Sequence, residues 1–244
     1  MTPPGRPDFS VVLPAYNLGP VIADNVQRVR RALAPLGTVE IVVVDDGSTD
    51  RTYQEATRSA ADLPMTRVIR HDVNRGKGEA LFTGARATTA ELVLFLDADL
   101  DLPPEQVLPL VGQMEGVDLL VGAKRKSMAG GRYPLARRIL SRIFTLLTVG
   151  VFRLPVSESQ TGLKILRRPV IEGVLPQMRI HGYAYDLEML LRAHRSGMKL
   201  KEAAVELGES ASTAPLRVVM LWQMGRDTLR LWWWTVSGRI PRGS

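Results

Sequence analysis

Apolar positions in the first half of the chain come in short, nearly continuous runs that end in polar residues. Residues 9–13 form the first and close at Pro14. The β-branched run 39–44 closes at Asp45-Asp46-Gly47, and residues 66–69 form a third. Residues 92–96 close at Asp97-Ala98-Asp99, and residues 117–121 form a fifth. Runs without apolar–polar alternation predict strands buried on both faces. Helical segments are expected between them, over about 20–33, 50–61 and 78–88. A further helix is opened by Pro103-Pro104, since proline suits the first turn. Strand and helix in alternation predict an α/β fold, a mostly parallel sheet with helices on both faces. Ligands of such sheets bind outside the carboxyl ends of the strands. The polar clusters at 14–17, 45–50 and 97–101 all fall there, which predicts one site at one edge.

The second half is less regular. Residues 133–152 read as a basic, apolar helix, 161–166 as a strand, 185–195 as a helix and 216–236 as a long C-terminal helix. No Pro/Gly/Ser-rich linker divides the halves. The expected organisation is one domain over 1–210 and an amphipathic, membrane-proximal helix over 211–244.

Composition narrows the chemistry. A chain of 244 residues can bury a substantial core without staples. It has no cysteine, which excludes disulfides, thiolate zinc sites and cysteine nucleophiles. A net charge of +7 points to an anionic partner, whether nucleotide, lipid phosphate, phospholipid or nucleic acid, or else to a solvated basic surface. Nucleic acid ranks last, because aromatic content is 6% and no binding motif is present. The opening residues MTPPGRPDFS lack an apolar leader core, so no secretory signal is expected. No stretch of about 20 uninterrupted apolar residues predicts a membrane span.

Asp97 and Asp99 follow a buried strand directly. A hard divalent cation bridging two carboxylates and phosphate oxygens would neutralise a departing diphosphate. The alternative is that one of them caps the next helix. The cluster Asp45, Asp46, Gly47, Ser48 and Asp50 offers acceptors for uracil and ribose, or a turn with a helix cap. Asn74-Arg75-Gly76-Lys77-Gly78 is a glycine-containing turn with a lysine, suited to a phosphate through backbone N–H groups and an ammonium, or simply a helix-opening loop.

In order, VVLPAYN, IVVVDDGSTD, NRGKGEAL and LVLFLDADLD resemble the inverting family 2 glycosyltransferases of the GT-A fold. Later segments, VGAKR, YPLARRILSR, SQTGLKIL, YAYDLEMLLRA and LWQMGRD, are similar to polyprenyl-phosphate sugar synthases. Of these, the dolichyl-phosphate glucosyltransferases match QTGLKIL and WQMGRD more closely than the mannosyltransferases do. The resemblance implies transfer, with inversion, from a nucleotide-sugar (UDP-glucose or a related UDP-hexose, favoured over GDP-sugars) to a polyprenyl or dolichyl phosphate. It implies that Pro14, Ala15, Tyr16, Asp45, Asp46, Gly47 and Lys77, with Asp97, Ala98 and Asp99, line the nucleotide-sugar pocket. Asp97 and Asp99 would hold Mg²⁺ or Mn²⁺, with Asp101 nearby. Gln160, Thr161 and Lys164 would sit beside the donor. Lys124 or Arg125, with Arg137 and Ser141, would receive the acceptor phosphate. Two positions depart from the family pattern: Leu18 stands where glutamate is usual, and a basic residue of the late loop falls near Ala214, with Arg217 or Arg226 as replacements.

A phosphate acceptor suits this composition. The chain has three histidines, His71, His181 and His194, and none falls in the strand-end clusters. A phosphate monoester, with a second pKa near ~6, is already an anionic nucleophile at neutral pH. It needs positioning charge rather than a base, and Arg132, Arg137, Arg138 and Arg142 supply that. If a base is used, Asp186 or Glu188 is the candidate, although either would also serve to orient a basic neighbour. Other readings are the same fold acting on a soluble phosphorylated metabolite or glycan, and an inactive nucleotide-sugar-binding protein.

The expected location is the cytoplasmic face of the membrane, peripherally. Residues 143–152 are apolar but too short to cross. The stretch 216–236 is interrupted by Arg217, Arg226, Asp227 and Arg230, each costing roughly 2.5–3.5 kcal/mol inside a bilayer. Trp222, Trp232, Trp233 and Trp234 suit the interface, or else a core or oligomer contact.

Overall fold

The computed structural model describes residues 6–124, 150–182, 184–208 and 218–240. Among them a seven-stranded sheet forms in the order β3-β2-β1-β4-β6-β5-β7. The strands are β1 (Phe9–Ala15), β2 (Val39–Asp45), β3 (Thr66–Arg70), β4 (Leu92–Leu96), β5 (Leu119–Lys124), β6 (Leu163–Arg167) and β7 (Leu200–Val205). The helices are α1 (Ile22–Leu33), α2 (Thr52–Ala61), α3 (Lys77–Ala87), α4 (Val107–Val111), α5 (Arg168–Gly173), α6 (Tyr185–Arg195) and α7 (Val218–Val236).

Strand β2 shows why the apolar runs are strands. Its side chains alternate between two cores. Val42 and Val44 enter one with Val12, Phe95, Leu190 and Leu231. Ile41 and Val43 enter the other with Val11, Ile22, Val26 and Leu94. Both faces are covered, so every position of β2 is buried, as expected for a parallel strand under helices. The sheet is parallel at β1–β2, β1–β4, β2–β3 and β5–β7. Strand β6 is the exception and runs antiparallel to both β4 and β5. The carboxyl ends of the parallel strands and the start of β6 therefore share one edge.

Several boundaries differ from the hydropathy reading. Strand β5 begins at Leu119 rather than 117 and continues to Lys124, because its ladder with β7 outlasts the apolar run. Strand β7 and helix α5 were not expected. The C-terminal helix packs through Leu231 and is followed by a buried Ile240, both joining the core that also holds α6. Most of the expected helix at 133–152 lies outside the described residues, as do Arg125, Arg132, Arg137, Arg138, Ser141, Arg142, Ala214 and Arg217.

Candidate active site

The turn after β4 is built by the backbone. Asp97 accepts from the Leu100 N–H at 3.1 Å, and Leu100 adopts φ 55°. The Ala98 carbonyl is held by the Asn25 side-chain amide at 2.8 Å. Asp101 donates its N–H to the Asp99 carboxylate at 3.2 Å. Neighbouring β6 confines Asp97 further, since its N–H bonds the Gly162 carbonyl at 3.1 Å. A β-carbon added at Gly162 would lie 2.2 Å from Asp97 Oδ2, so only glycine leaves room for that carboxylate.

Lys77, the first residue of α3, places Nζ 2.5 Å from Asp97 Oδ1 and 2.7 Å from Oδ2. Partial desolvation works against this ammonium, but Asp97, Asp186 and Asp99 outweigh it and raise its pKa. Beneath it lies a second pair: Lys164 of β6 meets Asp186 of α6 at 2.7 Å and also donates to the Thr161 carbonyl at 2.5 Å. Burial raises the Asp186 carboxyl above the usual range, against the pull of Lys164 and Lys77. Asp99 is raised too, first by desolvation and then by the charge of Asp97. The site thus joins Asp97, Asp99, Asp186, Lys77 and Lys164, three carboxylates against two ammonium groups.

Among the described residues, no three His, Cys, Asp or Glu side chains converge as an all-protein metal cage. Magnesium sites need only one or two carboxylates beside substrate phosphates and water. Asp97 already takes a cation in the form of Lys77, and the Asp99 carboxylate stands on the same turn, bonded to the Asp101 N–H. The donor set therefore fits a hard divalent ion.

The loop before α3 is shaped by Asp46. This residue is buried, and its carboxylate accepts from Arg75 N–H and Gly76 N–H, each at 2.9 Å. Its third partner is His71 Nδ1 at 2.7 Å, while His71 Nε2 meets Thr83 Oγ1 at 2.9 Å. His71 was read as lying apart from the strand-end clusters, yet it sits one residue beyond β3 and ties the 45–50 cluster to α3 through Asp46 and Thr83. Gly47, at φ 70°, lets this edge close, because a β-carbon there would lie 2.5 Å from the Val73 backbone.

The other sequence candidates take these positions. Asp45 is buried against Arg70 at 3.2 Å, and Arg70 also lies over the Tyr53 ring. Pro14 and Ala15 end β1, followed by an exposed Tyr16. Asn17, Leu18 and Gly19 donate their N–H groups to Ser48, Thr52 and Asp50. Leu18 packs, partly buried, against the α1-side core. Gln160 is half-buried just before β6, and Lys124 is exposed at the end of β5. Glu188 is fully buried. It pairs with Arg192 at 2.8 Å and accepts from the Arg179 and Ile180 N–H groups. Both carboxylates proposed as a base thus hold basic neighbours, the orienting role that was the other option.

Comparison with known proteins follows the same outline. The model of "Glycosyl transferase family 2" matches residues 10–175. The chain is 29% identical over 242 residues to a dolichol-phosphate mannosyltransferase of Pyrococcus furiosus, covering 96% of this chain and 65% of that protein. It is 29% identical to glycosyltransferase AglD of Haloferax volcanii, again over 96% of this chain but only 39% of the relative. The undecaprenyl-phosphate 4-deoxy-4-formamido-L-arabinose transferase of Pseudomonas aeruginosa is 30% identical, over 87% of this chain and 67% of its own. Among solved structures, glucosyl-3-phosphoglycerate synthase of Mycobacterium tuberculosis, in complex with Mn²⁺, UDP and phosphoglyceric acid, superposes with a TM-score of 0.66. It is 25% identical, and the match covers 92% of this chain and 76% of that one.

Proposed function

The chain belongs to glycosyl transferase family 2, and on that premise we propose that it transfers a sugar with inversion from UDP-glucose, or a related UDP-hexose, to a polyprenyl phosphate. One observation carries the reading: Lys77, Asp97 and Asp99 meet the Lys164–Asp186 pair at the carboxyl edge of the sheet. That edge offers both charges a nucleotide diphosphate needs. Asp97 and Asp99 would hold Mg²⁺ or Mn²⁺, which would offset the charge of the departing diphosphate. Lys77 heads α3, where its ammonium would face the phosphates. Pro14, Ala15, Tyr16, Asp45 and Gly47 border the nucleoside side, with Asp46 shaping the loop. Gln160 and Lys164 lie toward the sugar.

The acceptor phosphate oxygen attacks the anomeric carbon as the bond to the UDP oxygen breaks. The attacking group is already ionised, so the chain needs to orient it. Lys124 or Arg125, with Arg137 and Ser141, takes that role. The support comes from relatives whose names specify dolichol or undecaprenyl phosphate. We place the enzyme peripherally on the cytoplasmic membrane face. Among the described residues no helix is long and apolar enough to cross a membrane.

A second reading, transfer to a soluble phosphorylated acceptor, draws on the likeness to a synthase solved with phosphoglyceric acid. Both are tested by radiolabel transfer from a panel of UDP- and GDP-sugars to polyprenyl phosphate or to 3-phosphoglycerate, with Mg²⁺ or Mn²⁺. The expected result is a UDP-sugar, the lipid acceptor, and no transfer in EDTA or in Asp99→Ala. Full activity in EDTA would end the metal assignment, and transfer to 3-phosphoglycerate alone would replace the acceptor.

A further inference from the structure

Helix α7 carries a surface that the donor site does not explain. Leu229, Trp232, Trp233 and Val236 are 47–68% exposed. Their spacing puts them on one helical face, whereas Leu231 faces the core. A solvent-facing apolar stripe of this kind marks a contact site. Arg226 and Arg230 precede Leu229 and Trp233 by three residues, so they border the stripe.

From that border they line a cleft of about 230 Å³ between α7 and residues 179–182. Arg179 lines it from the opposite side and lies 5.4 Å from the centre of the Trp234 ring. Asp227, the one carboxylate among the described lining residues, is nearly buried and meets Arg226 at 3.3 Å and Arg230 at 3.6 Å. Arg179 and Arg230 against Asp227 leave a positive excess among the described lining residues. His181, also on the wall, is matched by Glu79 at 2.6 Å. The volume is below the ~300 Å³ at which small-molecule pockets begin, which favours a head group over a nucleotide-sugar.

We propose that this cleft binds the phosphate of an anionic phospholipid head group while the adjoining stripe seats in the bilayer interface. Guanidinium forks bind phosphate oxygens in pairs. Indole suits the boundary between water and acyl chains, and Arg239 stacks over Trp233 at 4.1 Å, adding charge beside the stripe. The inference rests on the reading of a lipid-linked acceptor and deepens it. The His181 carbonyl accepts the Gly78 N–H at 3.1 Å, so the cleft and the Lys77 loop share a wall. A bilayer docked at α7 would present its lipids beside the donor.

The test is cosedimentation of the full chain with vesicles of phosphatidylcholine alone or mixed with phosphatidylglycerol. Wild type should bind the anionic vesicles and bind neutral ones weakly. Arg179→Gln/Arg230→Gln should lower anionic binding about 25-fold, roughly fivefold per arginine. Arg58→Gln on α2, over the opposite core, lies beyond a Debye length and should change nothing. Trp232→Ala/Trp233→Ala should weaken binding to both vesicles. UDP affinity by calorimetry, unchanged in every variant, shows that the fold persists. Equal binding to neutral and anionic vesicles would overturn the proposal, as would equal losses in the cleft and Arg58 variants. So would a dimer that Trp232→Ala/Trp233→Ala dissociates without vesicle binding, or occupancy of the cleft by inorganic phosphate with no vesicle binding. Vesicle binding is read without donor or acceptor, so failure to glycosylate polyprenyl phosphate leaves it intact. Failure of the wild type to bind anionic vesicles, with its transfer to a short, water-soluble acceptor intact, would overturn the cleft alone.

Discussion

Replacing Lys164 by methionine isolates the charge beneath the site. The side chain is 1% exposed, and its partner Asp186 is 7% exposed. Methionine keeps the apolar bulk of the stem but removes the ammonium, leaving a buried carboxylate without its counter-ion and the Thr161 carbonyl without its donor. Removing one partner of a buried pair costs about 3–5 kcal/mol. For a chain of this size each kcal/mol lowers Tm by roughly 2–4 °C, so a fall of about 6–20 °C is expected. Lys164→Met/Asp186→Leu buries no charge and should recover most of it. The pH dependence has a definite sign. Burial already raises the Asp186 carboxyl, and losing Lys164 raises it further. A raised folded pKa favours the protonated fold, so the deficit should be small below the ordinary carboxylate range. It should grow as pH rises from there through the raised value. Thermal unfolding of both variants across pH decides. A fall of under ~2 °C at neutral pH, a double variant no better than the single, or a deficit that grows toward acid would refute the argument.

Gly162→Ala forces the Asp97 carboxylate aside, since the new methyl would sit 2.2 Å from Oδ2. Transfer should fall about 100-fold with Tm nearly unchanged, as an ångström of misplacement costs at that scale. His71→Ala removes one of three donors to Asp46 and loosens the 74–76 loop. The KM for donor should rise roughly 10–100-fold with kcat less affected, and His71→Asn, which restores a donor near Nδ1, should recover part of it. Arg137→Ala should raise the acceptor KM, at a cost of about 1–3 kcal/mol, while UDP affinity by calorimetry holds; a loss confined to UDP would contradict the acceptor role.

What the sequence disclosed follows from how locally each feature is encoded. Strand β4 matches its hydropathy bounds, and β2 differs by one residue, because burial on both faces leaves few polar positions to blur them, Glu40 and Asp45 of β2 being buried too. Strand β7, LKEAAV, carries residues that favour helices, and only its pairing with β5 at the sheet edge makes it a strand. The direction of β6 has no hydropathy signature at all. Asp97, Asp99 and Lys77 were legible from motif and position. Lys164 and Asp186 were each singled out, but their pairing depends on β6 lying under α6. His71 carried no local signal, since its partner Asp46 lies on another strand end.

The reversal of β6 has an evolutionary consequence. The chain departs the sheet after Lys124 and rejoins it at Leu163 along the same rim. The interval contains Arg137 and Ser141, and its later part packs Phe152, Leu154 and Val156 into the core and bonds Glu202 through Ser157. A change in chain length between Lys124 and Phe152 shifts no strand register, since no strand of the sheet lies between them among the described residues. On the proposed function, such wiring would let the acceptor side change in length or sequence while Asp97, Lys77 and Asp46 keep their places on the donor side.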